Sequence, residues 1–203
     1  MSFLSSNVSI TNYIVNGQLE EPVAETIFER LSSHVIEDID GEATDKSVGW
    51  TSYDNPFEPD FKGSQFIIGS HFVFSLRIDK KQISPRVILK HYQKELAKKL
   101  KETGRDYLNK GEKKAVKDYV ITMLYQRIPA SPYVYDMVWN YEKSRISFFS
   151  NQKTANDEFE TLFIKSFNLE LIRIFPYTSA FFLQNISDSE KDILNSLKPD
   201  SFI

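Results

Sequence analysis

The stretch FIIGSHFVFSLRIDKKQISPR, residues 66–86, places two different periodicities side by side. Phe66, Ile68, Phe72, Phe74, Leu76 and Ile78 share one parity, while His71, Ser75 and Arg77 take the other. Strict alternation predicts a strand over Phe66–Ile78 with one buried and one wetter face. The pattern ends at Ser84-Pro85, a cap residue followed by proline at the first helical position. A helix is therefore expected to run to about Thr103. Gly104 to Gly111 reads as a connector, and a second helix is expected from about Glu112 to Arg127. Residues 84–127 thus form a helical hairpin inserted between strands.

Upstream, Asn7 to Val15 reads as a strand closed by the turn signal Asn16-Gly17. Pro22 opens an amphipathic helix with Val23, Ile27, Leu31 and Val35 on one stripe. Glu37 to Lys46 is an acidic loop, Val48 to Thr51 a short strand, and Asn55 to Gly63 a proline-bearing loop. Downstream, Tyr133, Tyr135, Met137, Trp139 and Tyr141 alternate as a strand. Glu142 to Ser144 turns, and Arg145 to Phe149 returns. Thr154 to Ser166 reads as a helix with Phe159, Leu162 and Phe163 inward, and Leu169 to Phe175 as a strand. Ser187 and Glu190 make a capping box for a last helix through Leu197. The order is β-α-β-β, helical hairpin, β-β-α-β. It lacks a mononucleotide fingerprint and steady βαβ alternation. The expected fold is α+β, a largely antiparallel sheet with residues 1–203 as one domain and the hairpin as a projecting insertion.

The composition, 41 % apolar and 14 % aromatic, supports a buried core and argues against a disordered chain. There is no Cys, which removes disulfides, thiolate metal sites and cysteine nucleophiles and favours a reducing compartment. The first Lys or Arg is Arg30, so no secretory signal peptide is expected, and no apolar run is long enough to span a bilayer. The net charge of −3 is unevenly distributed. Between Lys80 and Lys117, 13 Lys/Arg face 4 acids, a local balance of +9, while the remainder has 12 Lys/Arg and 24 acids, or −12. An acidic body bearing one basic segment is the strongest functional signal in the chain.

In the first hairpin helix Arg86, Lys90, Lys94 and Lys98 step by four, with Lys101 and Arg105 following. Each step of four drifts only about 40°, so the cations form one winding stripe. Ile88, Tyr92, Leu96 and Leu100 step by four roughly 200° away and form an oily face. In the second helix Val116, Tyr119, Val120, Met123 and Leu124 form the oily side, with Lys113 and Lys117 mainly off it. Packing of the oily faces leaves a cationic ridge carrying only Glu95, Glu102, Asp106 and Glu112 in opposition. Such a ridge suits the phosphates of duplex DNA, which give affinity without sequence information. Charge alone leaves open a plain solvated lysine-rich surface. A membrane-surface role is disfavoured, because the oily faces are needed to pack the hairpin.

Several features recur in a family order: Gly49-Trp50 after a polar loop, Lys80 to Ile88 leading into the basic helix, Gly104-Arg105, then Glu112-Lys113-Lys114 with Lys117, Asp118, Val120 and Leu124. Arg127 follows that helix and Trp139 lies on the next strand. In this order and spacing, through about Tyr177, the chain resembles the bacterial recombination-associated protein RdgC family. The resemblance implies a non-catalytic homodimer, cytoplasmic and nucleoid-associated, that rings duplex DNA with little sequence preference and restrains the recombinase RecA. Family members continue with a substantial C-terminal portion, whereas about 25 residues follow Tyr177 here. The expectation is therefore a closed ring, a C-shaped dimer or a higher homo-oligomer. On spacing, charge and resemblance together, the expected DNA-binding residues are Arg86, Lys90, Lys94, Lys98, Lys101, Arg105, Lys113, Lys117 and Arg127. No cofactor or metal is expected.

Other candidate chemistry is thinner. His34, His71 and His91 are scattered without metal-ligand spacing, and each reads as a boundary or surface histidine. Glu37, Asp38, Asp40, Glu42 and Asp45 suggest a divalent-metal nuclease, but an EF-hand reading of Gly41 requires an acid where Ile36 stands. Tyr133, Tyr135, Trp139 and Tyr141 suit base stacking, though alternation favours the buried face of a sheet. Phe72, Phe74, Phe148, Phe149, Phe159 and Phe163 read as core. Phe181-Phe182-Leu183 either caps the core or belongs to a dimer patch. The alternative to DNA binding is a protein–protein adaptor or oligomeric structural protein whose basic ridge meets an acidic partner or a second copy. A metal-dependent nuclease using the acidic loop is a third reading.

Overall fold

The computed structural model describes residues 5, 7–62, 66–181 and 187–196. Phe182, Leu183 and Leu197, singled out from the sequence, lie outside these residues. The architecture is α+β. Among the described residues the sheet has seven strands: six follow the order β2-β4-β5-β6-β1-β7, and β3 (Ile67–Ile68) pairs with β4. The others are β1 (Thr11–Asn16), β2 (Lys46–Thr51), β4 (His71–Lys80), β5 (Ser131–Asn140), β6 (Arg145–Phe148) and β7 (Glu170–Arg173). The helices are α1 (Val23–Ser33), α2 (Pro85–Thr103), α3 (Lys110–Arg127), α4 (Lys153–Phe167), α5 (Pro176–Phe181) and α6 (Asp188–Ser196). Antiparallel registers include Trp50 opposite Leu76 and Trp139 opposite Ile146. Among the described residues, no helix is long and apolar enough to cross a membrane.

The chain divides into two compact units. One comprises the chain up to Ser33, Phe61–Phe74 and the chain from Tyr135 onward; the other comprises His34–Asp60 and Ser75–Val134, including the helical hairpin. In the first unit an aromatic column fills the core. Phe148 stacks on Phe159 with ring centroids 4.4 Å apart, and Phe163, Phe167 and Trp139 continue the packing. The alternation of β5 and the helical spacing of Phe159, Phe163 and Phe167 bring these rings together from one strand and one helix face. In the second unit Trp50, Leu76, Ile78, Val120 and Leu124 are buried.

Several sequence expectations need correction. The long strand over Phe66–Ile78 is a hairpin. Gly69, at φ 61, and Ser70 turn the chain so that Ile67 pairs with Phe72 and Ile68 with His71. Its second arm has no wet face: Val73, Ser75 and Asp79 are buried beside Phe74, Leu76 and Ile78. Asp79 tolerates this because Arg77 Nε and Nη2 donate to its two carboxylate oxygens at 2.8 and 2.6 Å. Val35 falls beyond α1 and bridges Trp50 in parallel. Tyr133 is 45 % exposed although it shares the parity of buried Tyr135 and Trp139. Short α5 has no counterpart in the sequence reading.

Gly49 holds the outer side of β2 close to the preceding segment. Trp50 N donates to His34 O at 2.8 Å and Ile36 N to Trp50 O at 3.0 Å. A Cβ on Gly49 would lie 2.4 Å from the Ile36 backbone, so only glycine permits this approach. The aromatic column gives the first test of the packing. Phe159→Ala should lower the free energy of unfolding by about 3–5 kcal/mol, the range for emptying a buried phenylalanine site. Urea denaturation checks it, and an unchanged midpoint would show that Phe159 does not carry the core.

Candidate nucleic-acid interface

The hairpin is built by local signals. Pro85 sits in the first turn of α2, where its missing N–H costs nothing, with Ser84 at the N-cap position. Gly104 ends the helix in the left-handed region at φ 63 and returns its N–H to Leu100 O. α3 begins two residues earlier than expected, because Asn109 and Glu112 form a capping box. Glu112 N donates to Asn109 Oδ1 and Asn109 N to Glu112 Oε2, both at 2.9 Å. Arg105 Nη1 then donates to Glu112 Oε1 at 3.0 Å. Leu108, 3 % exposed, anchors the connector.

The hairpin is seated at its base by a buried lysine. Lys81, directly after β4 and 4 % exposed, donates from Nζ to Tyr125 O and Glu42 O, both at 2.8 Å. Tyr125 lies in the last turn of α3, where helix carbonyls have no intrahelical partner and the dipole is negative. The acidic loop completes the bracket: Asp40 Oδ1 accepts from Ala130 N at 2.7 Å, and Asp38 Oδ1 accepts from Asp40 N at 2.8 Å. Among the described residues no three His, Cys, Asp or Glu side chains converge in a metal-binding group. Asp38 and Asp40 instead hold backbone of their own loop and of the segment between α3 and β5.

Arg86, Lys90, Lys94, Lys98, Lys101, Arg105, Lys113, Lys117 and Arg127 are all exposed, on or beside the hairpin. Two are compensated: Arg105 by Glu112, and Lys98 by Glu102 at 4.0 Å. The Lys98 pair is exposed on both sides and worth little. Arg105 is the weaker phosphate candidate, since a capping carboxylate already holds it. Lys99, Lys110 and Lys114 are exposed as well; assignment by the four-residue stripe passed over them. Lys81 counts toward the basic segment in the sequence but contributes no surface charge.

The packing of the hairpin differs from the sequence expectation. α2 has no buried residue, and Ile88, Tyr92, Leu96 and Leu100 are only half-buried. Tyr119, expected on the oily side of α3, is 59 % exposed, while Val116, Val120 and Leu124 are buried. Among the described residues the histidines join no metal-binding group. His71 Nε2 lies 3.1 Å from Asn140 Nδ2 in one unit, and half-buried His91 lies on α2 in the other. Tyr135 and Trp139 are core residues and so unavailable for stacking.

The Lys81 seat has a measurable consequence. Lys81→Met should lower the free energy of unfolding by about 1–3 kcal/mol, because two part-buried carbonyls lose their donor. Lys99→Met on the exposed face should change it by less than about 0.5 kcal/mol. Equal urea midpoints for the two variants would remove Lys81 from the framework. Compared with known proteins, the chain matches no family model and no curated relative.

Proposed function

We propose that this chain is a non-enzymatic, sequence-nonspecific DNA-binding protein of the RdgC type, which grips duplex phosphates with the basic face of α2. In this reading it acts in the cytoplasm, on the nucleoid, as a homodimer or higher homo-oligomer in recombination or replication control. RecA is the partner that the family resemblance suggests. The observation that carries the reading is the stripe Arg86, Lys90, Lys94, Lys98 and Lys101, exposed along a helix that buries none of its own residues.

The dimensions support it. Twelve residues of helix from Arg86 to Lys98 rise about 18 Å at 1.5 Å per residue. Over that length a duplex presents about ten phosphate charges. Side chains that are long, exposed and mostly without carboxylate partners reach phosphates at little desolvation cost. Lysines spaced along one face select charge density over base identity, so affinity without sequence preference follows. The acidic remainder of the chain disfavours other approaches and orients the stripe toward the duplex.

The test is a salt titration. Each phosphate contact contributes about −0.9 to the slope of log affinity against log salt. Replacing Lys90, Lys94 and Lys98 together by Glu should reduce that slope by about 3 and weaken duplex binding at low salt by orders of magnitude. Fluorescence anisotropy with one duplex at several salt concentrations reads both quantities. Unchanged affinity and slope in the triple variant would overturn the assignment.

A further inference from the structure

The seam of the hairpin has two open sides, of which only one carries carboxylates. One holds Glu95, Glu102 and Glu112 with Lys98 and Lys99, around Ala115, Val116 and Tyr119. The other is a groove of about 360 Å³ lined by Pro85, Ile88, Leu89, Tyr92 and Lys117. Leu89 is 54 % exposed there. On the helical wheel, Ile88, Leu89 and Tyr92 centre roughly 180° from the cationic stripe of α2. The groove therefore belongs to a different face from the phosphate-binding surface proposed above.

Its border on α3 is cationic. Lys110, Lys113 and Lys117 follow at steps of three and four, so they share one side of that helix. All three are exposed. Glu112 and Asp118 are rotated about 140° and 100° from Lys117 and leave this side. On α2, the positions beside the groove continue as Gln93, Leu96 and Leu100. An aliphatic strip thus runs beside a lysine strip, with no acid between them. Aliphatic Ile88 and Leu89 offer nothing to a phosphate backbone, and an isolated lysine row offers nothing to an apolar partner. Together they complement one chemistry.

We infer that this groove docks an acidic amphipathic peptide from a partner protein, with apolar anchors on Ile88, Leu89 and Tyr92 and carboxylates on the α3 lysines. This is recognition of a helix or short segment in a groove, in which apolar anchors supply affinity and charge supplies orientation. The inference does not depend on the phosphate stripe and shares with the predicted DNA-binding set only Lys113 and Lys117.

The experiment uses the full chain and a fluorescein-labelled synthetic helix with Leu and Phe at i, i+4 and i+7 and Glu elsewhere. Saturable binding is expected in anisotropy. Leu89→Asp or Lys117→Glu should weaken it roughly tenfold or more, as for a central contact. The Lys90, Lys94 and Lys98 to Glu variant should bind the peptide as before while losing DNA, which separates failure of one reading from failure of the other. Because Leu89 is exposed, Leu89→Asp should fold; Leu89→Ser, with an unchanged far-ultraviolet circular dichroism spectrum, supplies a second variant. Three results overturn the proposal: no saturable binding, equal binding of a peptide with Ser in place of Leu and Phe, or unchanged affinity in both Leu89 variants. Dissociation of a self-associated form by Leu89→Asp would assign the groove to a second copy instead, and would equally overturn it.

Discussion

The hairpin depends on one buried ammonium. Lys81 Nζ bonds two backbone carbonyls, one from the acidic loop and one from the end of α3. Removing a lysine from water costs several kcal/mol unless its donors are satisfied. Here one acceptor, Tyr125 O, is a carbonyl that would otherwise be orphaned at a helix terminus whose dipole favours a cation. Each side thus offsets the other's desolvation. The site also joins three stretches distant in sequence: the end of β4, the loop before β2 and the C-terminus of α3. With Asp40 on Ala130, it fixes where the hairpin leaves the sheet. The cationic face of α2 projects from that fixed base.

The hairpin itself is lightly packed. α2 has no buried side chain, and α3 has Val116, Val120 and Leu124. Apolar area buried per residue is therefore small, and capping carries more of the stability than it does in a core helix. The reciprocal box at Asn109 and Glu112 and the left-handed Gly104 supply that capping at the tip. Glu112 serves twice, because its second oxygen holds Arg105. One carboxylate that looked like a blemish on a basic ridge is the tip's organising residue.

Much of this was legible. Ser84-Pro85, Gly104 and the four-residue steps locate the hairpin to within a few residues, because helix ends and amphipathic faces are written locally. The β3–β4 turn was hidden because Phe66, Ile68, Phe72, Phe74, Leu76 and Ile78 are all apolar and evenly numbered, although the pairing of Ile67 with Phe72 and Ile68 with His71 puts opposite parities on one face. The buried second face of β4 was hidden because Ser75 and Asp79 read as polar, although Asp79 is neutralised by Arg77 two residues away. Lys81 gave no signal at all. Its partners are backbone atoms, which have no residue identity, and one of them is 44 positions away. The exposure of Tyr119 likewise follows from how closely two helices approach, which periodicity does not encode.

The close approach at Gly49 bears on how the sheet meets other chains. Strand edges are templates for pairing with a neighbour, and folded proteins must disarm them. At β2 the backbone groups of Trp50 are taken by His34 and Ile36. A side chain at position 49 would push that covering segment away. A single hydrogen atom in place of a methyl group therefore separates a sealed sheet border from a sticky one.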